Sequence, residues 1–141
     1  MPLVSERISI ADARRETKAA LDRFEDGCRA AGLAEDAVIE LRVVAEEVLT
    51  NIAKYAYAPG AAPAVEMSFA FDEAAAIVEF RDRGRPFDPL AERAPDLGAP
   101  LEQRPEGGLG ILLVRALVDE VRYVRDGPTN LLRVVKRRAA P

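Results

Sequence analysis

Two runs, Val65 to Phe71 and Ala75 to Asp82, alternate with a period of two and are separated only by a turn around Asp72-Glu73. Strands joined that tightly pair as an antiparallel hairpin, because a parallel pair needs a crossover of a dozen or more residues. A second pattern of the same kind closes the chain, with Val121 to Arg125 and Asn130 to Arg137 flanking Asp126-Gly127-Pro128. Ahead of the first hairpin come a short strand, Leu3 to Ile10, and two helical segments. The first runs from Ala11 to about Ala31 and stops near Gly32. The second runs from about Ala34 to Tyr57, stops at Pro59-Gly60, and carries an apolar stripe of Val38, Leu41, Ala45, Val48, Ile52 and Tyr55. A third helix is expected from Ile111 to about Asp119. The order β-α-α-β-β-loop-α-β-β is not the βαβ alternation of a doubly wound sheet. It predicts an α/β (α+β) two-layer sandwich, with a mixed, mostly antiparallel sheet and the helices on one face.

With 141 residues, 49% of them hydrophobic, the chain suits one domain over 1–141 with a real core. A formal net charge of -4 argues against a nucleic-acid or membrane-surface role. Its closing basic cluster, Lys136 to Arg138, reads as a solvated strand end. No apolar run approaches the ~18 residues a spanning helix needs, and MPLVSERISI has charges where a signal peptide needs an apolar core. The expected setting is the cytoplasm. The single cysteine, Cys28, excludes an intrachain disulfide and reads as a helix-buried thiol. The absence of histidine excludes Ser-His-Asp and Cys-His catalysis, and any histidine-based zinc site.

Polar residues stand out at three places. In the second helix, Glu47 and Asn51 are one turn apart and beside the apolar stripe, and Lys54 continues their seam. A Glu there is able to take a proton from an attacking hydroxyl, an Asn oxygen is a hard ligand suited to Mg²⁺, and a Lys reaches phosphate. A solvated flank is the competing reading; Glu40, Arg42 and Glu46 are read as solvated. At the end of the third strand, Asp82 shares a face with Val78 and Phe80, while Glu79, Arg81 and Arg83 take the other. A carboxylate on the core face needs a donor, and an adenine amino group is one. Gly84 allows the backbone to approach a flat ring, with Pro86 and Phe87 shaping the turn and Asp88 capping it. A strand-end Asp that caps a turn is the alternative. Third, Gly107, Gly108 and Gly110 precede a helix that has no side-chain cap, an arrangement that suits an anion or a plain hinge. Ile111, Leu112, Val114 and Leu117 read as core. The segment is neither a P-loop nor a dinucleotide fingerprint. Between the second and third places, the Pro- and Gly-rich stretch from Arg83 to Gly110 exceeds the ~12–15 residues usual for a structureless loop, so it reads as a lid, a binding loop or a disordered segment.

Taken in order, EEVLTNIAKYAY, DRGRPFDP and GGLGILLVRALVDEV resemble the N-box and two glycine boxes of the Bergerat-fold (GHKL) ATPases. Within these they are most similar to the bacterial anti-sigma-factor serine/threonine kinases of the RsbW and SpoIIAB type, a resemblance that extends from about Ile8 to Lys136. It implies the Bergerat ATP-binding fold with an ATP lid at about 85–107. It implies Glu47 as general base, Asn51 as Mg²⁺ ligand, and Asp82 with Gly84 at the adenine. It also places Lys54, Pro86, Phe87 and the Gly107, Gly108, Leu109, Gly110, Ile111 stretch along the nucleotide. Thr129 matches the family threonine that helps hold the adenine-binding Asp and its water.

The activity implied is ATP- and Mg²⁺-dependent phosphorylation of a partner's serine or threonine. The implied partners are an anti-anti-sigma (STAS-domain) substrate and a sequestered sigma factor, bound by a homodimer with no direct nucleic-acid or membrane contact. Three other readings of the residues stand beside it: a nucleotide-gated binding module with little kinase activity, a detached sensor-kinase domain, and a plain ATPase.

Overall fold

The computed structural model describes residues 4–91 and 108–138. Along the chain lie β1 (Val4–Ile10), α1 (Ala13–Ala30), α2 (Glu35–Asn51), a π-helical turn (Ile52–Ala56), β2 (Val65–Phe71), β3 (Ala75–Asp82), a 3₁₀ turn (Pro89–Ala91), α3 (Gly108–Leu117), β4 (Glu120–Asp126) and β5 (Thr129–Arg137). The strands form one sheet in the order β1-β2-β3-β5-β4. All four of its pairings are antiparallel, where a mixed sheet was expected. The reason is local: both hairpins pair with themselves, and the strands that join them, β3 and β5, run in opposite directions.

Burial follows the pleat. In β2 and β3 alternate residues are buried, and β5 keeps the same alternation through Asn130, Leu132 and Val134. The helices cover that face. Phe24 of α1 meets Phe69 of β2 edge-on, with ring centroids 5.0 Å apart. Gly27 makes that approach possible, since a Cβ there would lie 2.7 Å from the Phe69 ring. Leu41 and Leu49 of α2, with Met67, Phe71 and Phe80 of the sheet, complete the core. Each such side chain contributes about 1.5–3 kcal/mol by leaving water.

The ends of α1 are set by short-range chemistry. Asp12 accepts from the Arg14 amide at 2.9 Å, and Glu16 accepts from the Asp12 amide at 2.7 Å. At the other end Gly32 takes φ of 81°, and the amides of Gly32 and Leu33 return to the carbonyls of Arg29 and Cys28. The second helix departs from expectation. Its regular part ends at Asn51, and the chain then widens into the π-helical turn before Tyr57. Carbonyls around that turn are taken by residues distant in sequence. The Arg14 guanidinium donates to Ala53, Ala58 and Ala61, while Arg85 donates through its amide to Ala56 (2.8 Å) and through Nε to Tyr55.

Two surface readings also change. Arg42 is not merely solvated: it bridges to Asp22 at 2.8 Å and Glu25 at 2.9 Å, tying α2 to α1. The basic cluster is fastened to the body. Lys136 pairs with Glu40 at 2.7 Å, and Arg138 donates to the carbonyls of Asp72 and Gly32.

Candidate functional site

β3 ends on Asp82 because strand alternation carries it inward after Ala76, Val78 and Phe80, and it is 5% exposed. Its Oδ1 accepts from the Gly84 amide and from Asn130 Nδ2, each at 2.9 Å. No described residue bonds its Oδ2. Burial raises the Asp82 pKa above its ordinary 3.8, and the bonds from Asn130 and Gly84 and the charge of Arg125 work against that rise. Gly84 is pressed onto the π-helical turn, where a Cβ would collide with the Ala56 carbonyl and lie 2.8 Å from the Ala56 Cβ. The turn is held further by Arg125, whose Nη1 donates to the Gly84 carbonyl at 2.9 Å, and by Tyr57, whose hydroxyl accepts from the Arg83 amide and donates to the Ala64 carbonyl.

Next to Asp82 lies a narrow cleft. Val48 and Ile52 of α2 and its extension, Phe87 and Pro89 of the following turn, Ile111 of α3 and Leu132 of β5 make its apolar walls. Asn51, Asp82, Tyr123 and Asn130 complete its lining. Asn51 is 7% exposed and lines the cleft from the end of α2.

One turn before Asn51, Glu47 lies against the first turn of α3. A Cβ on Gly110 would strike Glu47 Oε2, so the carboxylate rests directly against the helix start at this glycine. Glu47 makes no hydrogen bond or ion pair with a described residue. The glycine-rich stretch does not simply precede α3, as expected; Gly108 and Gly110 form its first turn. Their amides are among the first of a helix, which have no intrahelical partner and favour anions.

Of the residues singled out in the sequence, the fold brings Asn51, Asp82, Phe87 and Ile111 to one cleft, with Glu47 and Gly110 in contact beside it. Gly84 supports the cleft from behind. Lys54 and Pro86 are exposed on the π-helical turn and on the loop after β3, and neither lines the cleft. Gly108 and Leu109 are placed as α3 backbone; Gly107 and the expected lid from 92 onward lie outside the described residues. Asp88 caps the 3₁₀ turn, accepting from the Leu90 amide at 2.8 Å.

Thr129 is placed differently from expectation. It pairs with Asp126 at the hairpin end and points to the sheet face away from the helices. Its neighbour Asn130 is the residue opposite Asp82 and bonded to it. A shift of one residue along a strand changes the face. Asn130 was legible in principle, because it is the polar residue in line with Leu132 and Val134. Tyr123 and Arg125 carry no signal of their own; only the β4–β5 register brings them to the site.

Among the described residues no helix is long and apolar enough to cross a membrane. Nor does any group of three or more His, Cys, Asp or Glu among them make a metal site.

Comparison with known proteins bears on the family and the fold. The chain is 29% identical over 96 residues to the serine-protein kinase RsbW of Oceanobacillus iheyensis, covering 64% of this chain and 60% of that protein. It is 29% identical over 92 residues to the serine/threonine-protein kinase BtrW of Bordetella bronchiseptica, covering 64% of this chain and 65% of that protein. The match to RsbW of Bacillus cereus is 28% over 105 residues, 72% of this chain and 65% of the relative. The chain thus spans less than two thirds of the length of these relatives. Its fold resembles the solved RsbU and RsbW domains of a Mycobacterium tuberculosis protein, with a TM-score of 0.66 at 14% identity over 96% of this chain and 33% of that one. The profile of the histidine kinase-like ATPase domain spans residues 10–136, nearly the whole chain, and to that family the protein belongs.

Proposed function

We propose that the cleft binds ATP with Mg²⁺ and that the chain transfers the γ-phosphoryl group to a serine or threonine of a partner protein. The observation that carries this reading is one juxtaposition. A buried carboxylate, Asp82, and a buried carboxamide, Asn51, line the same narrow apolar cleft, with Glu47 against a glycine-bearing helix start beside it. The residues fit the nucleotide. Apolar walls suit a flat base, Asp82 Oδ2 suits an exocyclic amino group, and the α3 amides suit phosphate. They fit the metal too, because Mg²⁺ is commonly held by one or two protein oxygens together with phosphates and waters.

Bound at Asn51, Mg²⁺ would neutralise phosphate charge. The remaining work falls to the chain itself. The amides from Gly108 to Gly110 hold the phosphates, with Lys54 and Leu109 at the rim and Phe87 and Ile111 against the nucleotide. Glu47 accepts the proton of the attacking hydroxyl. The hydroxyl oxygen forms a bond to the γ-phosphorus, the bond from that phosphorus to the β–γ bridging oxygen breaks, and ADP leaves. Catalysis of this kind rests on positioning and electrostatics. Residues 85–107 act as a lid that excludes water.

The names of the curated relatives support the protein-kinase reading. In the same reading the chain is a cytoplasmic anti-sigma factor. It works as a homodimer that phosphorylates an anti-anti-sigma STAS-domain protein and sequesters a sigma factor. Incubation with Mg²⁺, labelled ATP and a candidate STAS-domain protein tests it. Acid-stable label on a serine or threonine of that protein is the expected result. ATP binding without label on the partner would leave a nucleotide-gated binding module instead, and label lost in acid would indicate phosphohistidine.

A further inference from the structure

The hairpin β4–β5 reaches the Asp82 turn through side chains of both strands. Asn130 Nδ2 donates to Asp82 Oδ1 at 2.9 Å and to the Arg85 carbonyl at 2.8 Å, while Asn130 Oδ1 accepts from the Tyr123 hydroxyl. These three partners fix which way the carboxamide points. Its nitrogen must face a carboxylate and a carbonyl, and its oxygen must face a donor. A flipped amide would set oxygen against two acceptors. Both amide hydrogens of Asn130 are thereby engaged within the protein, and its oxygen accepts once. Asp82 Oδ1 is occupied twice, and no described residue bonds its Oδ2.

We propose that Tyr123 and Asn130 are positioning residues for base selection, a fixed relay from the edge strand β4 that presents Asp82 Oδ2 to the exocyclic amino group of a purine. This rests on the nucleotide-binding reading above and deepens it. Asn130 and Tyr123 act through Asp82, since both amide hydrogens of Asn130 and the hydroxyl hydrogen of Tyr123 are already committed within the protein. Arg125 supports the same turn from the neighbouring inward position of β4, bonding the Gly84 carbonyl rather than Asp82.

The test compares binding of ADP with binding of the diphosphate of purine riboside, which lacks the exocyclic amine, by calorimetry in Mg²⁺ on the full chain. The wild type is expected to favour ADP by about ten- to hundred-fold, the range for a hydrogen bond to a charged group. In Asn130→Leu, which keeps the side-chain size but loses the donor, that preference should collapse to within about three-fold. Asn130→Thr, which restores a single donor toward Asp82, should recover part of it. Tyr123→Phe keeps the ring in the cleft wall, so it isolates the relay from packing. It should lower the preference by about three- to ten-fold, the value of one neutral hydrogen bond. A merely structural role for these residues would weaken both ligands alike and leave their ratio unchanged. An unchanged ratio in folded Asn130→Leu and Tyr123→Phe overturns this proposal alone. A wild type that binds neither ligand overturns the nucleotide reading and this proposal with it.

Discussion

Around Asp82 the polar groups are almost all engaged. Its Oδ1 is bonded twice, the Gly84 and Arg85 carbonyls have side-chain donors, the Arg83 amide bonds Tyr57, and the Arg85 amide reaches the π-helical turn. At the other end of the cleft, Glu47 stands without a described hydrogen-bond partner, one turn before Asn51 on the same helix. The first end is framed by two hairpins and a widened helix end, the second by a helix and the start of another that meet at Gly110. The difference teaches how such a site divides its labour. A group that selects a ligand is best held before the ligand arrives, since ordering it afterwards costs affinity. Groups that meet charge moving through a reaction must keep their hydrogen-bonding capacity unused until then.

The largest expected effect lies at the open end. Glu47→Gln should lower phosphoryl transfer to a partner protein by about 10²–10⁴-fold while leaving ADP affinity within about two-fold. Single-turnover labelling and calorimetry read the two quantities separately. Equal losses in both would merge the two ends into one binding unit and break the contrast. Asp82→Asn probes the held end, where the loss should fall on binding. ADP affinity is expected to drop by roughly ten- to hundred-fold, because an acceptor oxygen is exchanged in part for a donor.

A smaller effect, on stability, follows from Gly84→Ala. The added methyl collides with the Ala56 carbonyl, so the π-helical turn or the Asp82 turn must shift, at about 1–3 kcal/mol in denaturant unfolding. The smallest is a pH dependence. Burial raises the native Asp82 pKa above 3.8, so its contribution to stability is fully present below 3.8 and is lost as pH rises through the native value. Affinity for an amino-bearing purine moves the opposite way, rising with pH as the carboxylate ionises. Titration of ADP binding across the acid range should show that rise in the wild type and a flat profile in Asp82→Asn.

The readable parts of the molecule are those where one local rule decides. The hairpin 65–82 has an unbroken alternation, so its ends and the inward turn of Asp82 follow from the pleat. The stripe of α2 gives its buried face in the same way, from Val38 through Ile52. The rest depends on residues brought from afar. Nothing between Ile52 and Ala56 marks a π-helical turn; its carbonyls are answered by Arg14 and Arg85. The start of α3 was read too late because glycine is a poor helix former, yet Gly108 and Gly110 lie within its first turn, where Glu47 arrives. At the second hairpin the position of Thr129 rested on resemblance, and a register offset by one residue separates it from Asn130, the side chain that holds Asp82.

Cys28 sits on the buried side of α1, wholly inside the core, with its thiol pushed up to about 12 by desolvation. As the thiolate is the reactive species, alkylating reagents near neutral pH meet an inert sulfur while the fold is closed. The lone thiol thus serves as a built-in clock: its rate of labelling counts how often α1 lifts from the sheet, in the empty protein and under any ligand that holds it shut.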